Sequence, residues 1–162
     1  MNIITETIKN ESTEFNLFLD TIQGCNYVVY GSIITFDYTG SIDLFNVDLI
    51  KKIYLKFEDK SDGVVKLFPW TQAFENINTN LSYTAYGEGE NHDNKSGLDV
   101  VSNIEWEKRK KMFWDIISNK FNLPPEKTYF YEDYLSTDVM WGFCYIFLKN
   151  GKGVVLHVGA SD

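Results

Sequence analysis

The side chains here that most readily act as bases, nucleophiles or metal ligands are two histidines and two cysteines. His92 stands within Tyr86-Gly-Glu-Gly-Glu-Asn-His-Asp-Asn-Lys-Ser-Gly97, close to Glu88, Glu90 and Asp93. Such a set has the residue types of a metal site or an acid–base pair. Its spacing is neither that of a twelve-residue calcium loop nor His-Glu-x-x-His on a helix, and a solvated acidic loop accounts for it without an ion. His157 lies between Leu156 and Val158, and a tight turn at Asn150-Gly151 brings it opposite Cys144. A cysteine beside a histidine is the unit of thiolate nucleophiles. Here Phe143 and Tyr145 flank the cysteine, surroundings that disfavour a thiolate, so a structural histidine is the expected role of His157. The sequence holds no Gly-x-Ser-x-Gly elbow, phosphate loop or dinucleotide fingerprint. We expect no catalytic set, no metal and no other cofactor.

Charge narrows the partners. The 162 residues carry 23 acidic and 15 basic side chains, a net charge of −8, and the bases are 14 lysines and the single Arg109. A nucleic-acid reader needs a positive face that displaces counterions from phosphates, and favours arginine for bidentate contacts. The one basic run, Lys108 to Lys111, follows Glu105 and Glu107 and reads as a solvated helix face. Nucleic acid is therefore not an expected partner, whereas a basic protein is, because complementary potentials steer encounter. Cys25 and Cys144 are too few and too far apart for a disulfide framework, which fits a reducing compartment. The first residues lack a basic segment followed by an apolar run, and no stretch approaches the roughly 20 apolar residues of a membrane span. The expectation is a cytoplasmic chain forming one domain over residues 1–162.

The elements that position these residues follow from periodicity. Phe15, Phe18, Leu19 and Ile22 form an i, i+3, i+4, i+7 stripe, with Ser12 or Thr13 placed to cap a helix and Gly24 to end it. Tyr27–Tyr30, Ser32–Tyr38 and Ser41–Phe45 are rich in β-branched and aromatic residues and read as strands. Leu49–Glu58 alternates partially and reads as a strand joined through Lys60-Ser-Asp-Gly63 to Val64–Phe68 as a hairpin. From Pro69-Trp70 to about Asn103 the pattern is irregular. Ile104–Phe121 is a helix with Trp106, Phe113, Ile116, Ile117 and Phe121 on one face, stopped before Pro124-Pro125. Tyr129–Tyr134 reads as a linker. Val139–Leu148 has no charge and both faces apolar, and it turns at Asn150-Gly151 into Gly153–Val158. The order predicts an α+β fold: a mainly antiparallel sheet, two principal helices and a C-terminal β-hairpin.

Acid and aromatic residues coincide in two of the connecting stretches. Glu88, Glu90, Asp93 and Asp99 accompany Tyr83 and Tyr86; Glu132, Asp133 and Asp138 accompany Tyr129, Tyr131 and Tyr134; Trp70 precedes the first group. Aromatic anchors beside carboxylates are what an interface against a basic protein uses. The candidate contact residues are thus Tyr86, Glu88, Glu90, Asp93, Asp99, Tyr131, Glu132, Asp133 and Asp138. In size, acidity and α+β layout the whole chain resembles the small acidic immunity proteins encoded beside bacterial polymorphic and contact-dependent-inhibition toxins. That resemblance implies a one-to-one complex with a cognate basic toxin domain, here expected to be a nuclease, whose active-site cleft is occluded in the cytoplasm. Two other readings stay open: a small-ligand pocket lined by Trp106, Trp114, Trp141 or Tyr145, and a small hydrolase built on His92 or His157.

Overall fold

The uncharged stretch from Val139 forms an inner strand of a six-stranded sheet in the computed structural model, which describes residues 3–22, 28–55, 63–82, 103–132 and 139–161. The elements in chain order are β1 (Ile4–Asn10), α1 (Thr13–Asp20), β2 (Val28–Thr39), a 3-10 turn (Ile42–Leu44), α2 (Val47–Tyr54), β3 (Val64–Leu67), α3 (Trp70–Ser82), α4 (Asn103–Ser118), β4 (Lys127–Glu132), β5 (Val139–Lys149) and β6 (Lys152–Ser161). The strand order is β1-β2-β6-β5-β4-β3, and every neighbouring pair is antiparallel. The expected α+β class and antiparallel sheet are what the chain adopts. Asn150 and Gly151 have φ of 52° and 77°, the positive values a type I′ turn needs, and the register they set places Cys144 opposite His157. At the edge, Thr7 has φ 50° where the β1–β2 register shifts; the bulge bends the outer strand away from further pairing.

Alternation along β5 divides the core in two. Phe143, Tyr145 and Phe147 face one side, where Phe15 and Leu19 of α1, Ala73, Ile77 and Leu81 of α3, and Phe113 and Ile117 of α4 close over them. Cys144, Ile146 and Leu148 face the other, covered by Phe45 and by Ile50, Ile53 and Tyr54 of α2. Among the described residues, three helices therefore lie on one face and one eight-residue helix on the other. The high aromatic content goes largely into the three-helix side: Phe147 meets Trp70 edge-on at 5.3 Å, and Phe113 meets Trp114 edge-on at 5.1 Å. Gly31 makes room for α1, since a Cβ there would stand 2.5 Å from the His157 carbonyl and 3.0 Å from the Phe15 ring.

Several elements differ from the sequence-based expectation. The described part of the expected strand Leu49–Glu58, up to Leu55, is not a strand: Val47–Tyr54 is helical, because Asn46 Oδ1 accepts from the Leu49 amide at 3.0 Å and Ile50, Ile53 and Tyr54 bury one stripe. Val64–Leu67 therefore pairs with β4 rather than with a hairpin partner. Residues 41–45 hold a 3-10 turn in place of a strand. The stretch after Pro69 is not irregular throughout, since Trp70–Ser82 is α3, burying Ala73, Ile77 and Leu81 at four-residue intervals. The supposed linker at Tyr129 belongs to β4. The two expected helices are present as α1 and α4, and α2 and α3 bring the helices among the described residues to four.

Candidate functional site

The strand register places the described residues that bound 56–62 and 133–138 at one end of the sheet. Glu132, which ends β4, lies opposite Val64, which begins β3. Ser161 near the end of β6 lies opposite both Val139, which begins β5, and Val28, which begins β2. α2 runs toward this end, from Phe45 stacked on Tyr129 to Tyr54 beside Tyr131. α3 does so too, from Trp70 at Phe147 to Asn76 at Tyr145. α4 runs the opposite way, since Phe121 beyond its C-terminus packs on Phe147. The described residues bounding 56–62, 83–102 and 133–138 thus all stand at the same end.

Charge is divided in the same way. The described residues hold 13 acids and 12 bases, a net of −1, whereas the remaining residues hold ten acids and three bases, a net of −7. Within the framework, acids neutralise much of the cationic surface. On α4, Lys110 pairs with Glu107 at 2.7 Å, Lys111 with Asp115, and Arg109 with Glu105 at 3.9 Å. Exposed pairs of this kind add little stability, but they cancel the field of the basic run, whose reading as a solvated helix face they support.

Of the candidate contact residues, Tyr86, Glu88, Glu90, Asp93, Asp99, Asp133 and Asp138 lie outside the described residues, as does His92. Glu132 closes β4 and accepts from Lys66 Nζ at 2.7 Å. Tyr131 is not a surface anchor: it is 4% exposed, with its ring 5.9 Å from that of Tyr54 in the core under α2. Tyr129 is buried likewise, stacked on Phe45 with its hydroxyl donating to the Ile42 carbonyl. Both point inward because they share the parity of the β4 face that α2 and the 3-10 turn cover. The exposed apolar residues at this end, Val28 and Tyr30 among them, are ones sequence reasoning passed over. Alternation along β2 gives their face; nothing in the sequence shows that α2 stops short of them.

The other constellations resolve as follows. Tyr54 Oη and Cys144 Sγ are hydrogen-bonded at 2.6 Å, and the His157 ring stands edge-on to Tyr54 at 6.5 Å and to Tyr30 at 5.8 Å. The thiol is buried beneath α2, and among the described residues no three His, Cys, Asp or Glu side chains converge as a metal site. No helix among them is long and apolar enough to cross a membrane. Trp106, Trp114 and Trp141 pack half-buried against the three-helix core. A groove of about 350 Å³ lies instead on the opposite face, lined by Ile3, Leu44, Asn46, Asp48, Leu49 and Lys52.

Tyr145 is 1% exposed among Phe68, Phe130 and Phe143, and its hydroxyl accepts from Asn76 Nδ2 at 3.2 Å. Burial raises its pKa above the ordinary 10.0, partly opposed by the Asn76 hydrogen bond and reinforced by Cys144. Burial also raises Tyr38 and Tyr129. A phenol whose folded pKa exceeds its unfolded value contributes stability that is fully present below the unfolded pKa and lost as pH rises toward the folded one. The melting temperature should therefore fall on the alkaline side of about pH 10, and Tyr145→Phe should flatten that fall. An identical alkaline slope in the variant would remove Tyr145 from this role.

No family model matches the chain, and no curated protein matches it in sequence. Among solved structures, the crystal structure of citrus MAF1 is similar, with a TM-score of 0.55 over 92% of this chain and 99% of that one. Identity is 12%, so the likeness is one of fold alone.

Proposed function

We propose that this protein is an immunity protein: it binds a cognate basic toxin domain, a nuclease, in the cytoplasm and neutralises it by covering the active-site cleft, with no chemistry of its own. One observation carries this reading. The framework is nearly neutral, while a net of −7 belongs to the residues outside it, of which 56–62 hold −1, 83–102 hold −3 and 133–138 hold −2, and the described residues flanking these three stretches stand together at one end. A nuclease cleft is positive because it holds phosphates, and carboxylates on stretches anchored at one end of a small domain would complement it as a phosphate backbone does. Neutralisation by occlusion needs only that surface and a rigid scaffold behind it.

The test is direct. The purified chain is mixed with the C-terminal domain encoded by the adjacent gene, and complex formation and nuclease activity are followed together. A one-to-one complex with activity abolished is the expected result. Absence of binding, or binding that leaves activity intact, would overturn the reading.

A further inference from the structure

We infer that the apolar centre of the contact with the basic partner is the exposed end of the α2 face, over which no described helix lies, with Tyr30 as its anchor. This rests on the immunity reading and adds to it the framework residues that touch the partner. α2 has eight residues, about 12 Å of helix, against the 12 residues or about 40 Å of β2. It ends at the level of Cys144 and His157, and beyond that level the face continues through Val28, Tyr30, Gly142 and Gly159. Val28 is 57% exposed and Tyr30 37%.

Tyr30 is held in position. Its ring lies across Gly159, where a Cβ would come within 2.8 Å of the Tyr30 hydroxyl, and it meets the His157 ring edge-on. An aromatic ring fixed before binding loses little entropy on association, which is what makes tyrosine an effective interface anchor. The occupant follows from charge. Leu55 leads directly into 56–62, where Glu58, Asp59 and Asp62 outnumber Lys56 and Lys60, and Glu132 into 133–138, which holds Asp133 and Asp138 and no base. An apolar centre whose neighbouring described residues lead into acidic sequence suits a basic protein, whose Lys and Arg side chains lay their aliphatic stems on such a surface. A second copy of this chain would bring its own −8 against the first.

The experiment measures affinity for the same adjacent-gene toxin domain by titration calorimetry, with folding of each variant checked by thermal melt. Tyr30→Ala should weaken binding about 30-fold, mainly through faster dissociation. Val28→Lys, at an exposed position that keeps the variant folded should Tyr30→Ala not be, should weaken it at least about tenfold by placing a cation against a basic partner. Leu17→Lys on α1 and Leu67→Lys on β3, both exposed away from this surface, should leave affinity unchanged. If the unsubstituted chain binds and Tyr30→Ala and Val28→Lys bind equally well, this surface is not the contact although the immunity reading stands. If the unsubstituted chain does not bind, both fall. A self-dimer in sedimentation that Val28→Lys dissolves would make the occupant a second copy and overturn the inference.

Discussion

Replacing Phe147 with alanine is expected to remove about 3–5 kcal/mol of folding stability, seen as a fall of about 2 M in the urea midpoint at unchanged slope. Phe147 is fully buried at the middle of the three-helix face, edge-on to Trp70 at 5.3 Å and packed against Phe121 and Tyr145 at 6.2 and 6.4 Å. Removing the ring deletes its transfer free energy and leaves a cavity bounded by β5 itself and by aromatic rings with stiff rotamers, so little can relax inward. Phe74 provides the internal comparison. It stacks on Trp114 at 4.8 Å and also touches Trp70, yet it is partly exposed on α3. Its truncation should cost under about 1.5 kcal/mol, because solvent already reaches one side of the ring. Against a total stability on the order of 5–15 kcal/mol, only the first substitution threatens folding. Equal losses for the two would mean that burial does not set the hierarchy among these aromatics.

That hierarchy bears on what the sequence could disclose. β5 and β6 were legible because their pattern has one solution: no charge, both faces apolar, and an Asn-Gly turn that sets the pairing of Cys144 with His157. α1 was legible because Phe15, Phe18, Leu19 and Ile22 complete an i, i+3, i+4, i+7 stripe over about two turns, and α4 because its apolar residues recur at helical spacing over about four. α2 was misread because Ile53, Leu55 and Phe57 mimic a strand, while the true stripe of Ile50, Ile53 and Tyr54 spans only one turn and a half. The Asn46 cap was the signal that would have decided between them. α3 was hidden by Asn76, Asn78 and Asn80, poor helix formers whose cost the tertiary structure offsets: Asn76 donates to the Tyr145 hydroxyl, and Asn78 accepts from the Trp114 indole. Such contacts join residues 36 and 69 positions apart, and no local window contains them.

The candidate site divides along the same line. Its charge was legible, since acids outside regular elements can be counted without a structure. Its geometry was not. Tyr131 sits beside Glu132 and Asp133 and looks like part of an acidic surface, yet strand parity turns its ring into the core. Tyr30 was read as part of a strand, and its exposure depends on where an unforeseen helix ends. What the topology adds is that segments far apart in sequence are anchored together. The described ends of three stretches that together carry a net −6 thus stand at one end of the sheet.

Reversing Glu88 and Glu90 together to lysine should slow association with the toxin domain by about 10–100-fold at low salt, an effect that shrinks toward physiological and higher ionic strength. The double change takes the net charge from −8 to −4 and that of residues 83–102 from −3 to +1. If net charge alone governed encounter, any two reversals would do as much. Glu6→Lys with Glu75→Lys produces the same −4 on exposed positions of the framework, outside the acidic connections. The connection-borne pair should therefore slow association at least about tenfold more than the framework pair, because steering depends on the potential over the docking surface rather than on the total. Dissociation should change less than association in both variants unless Glu88 or Glu90 is itself desolvated on binding, in which case its loss would appear as faster dissociation that salt does not hide. Matching association rates for the two double variants at every ionic strength would show that the acid works as a diffuse property of the chain, and would detach the proposed contact from the segment between α3 and α4.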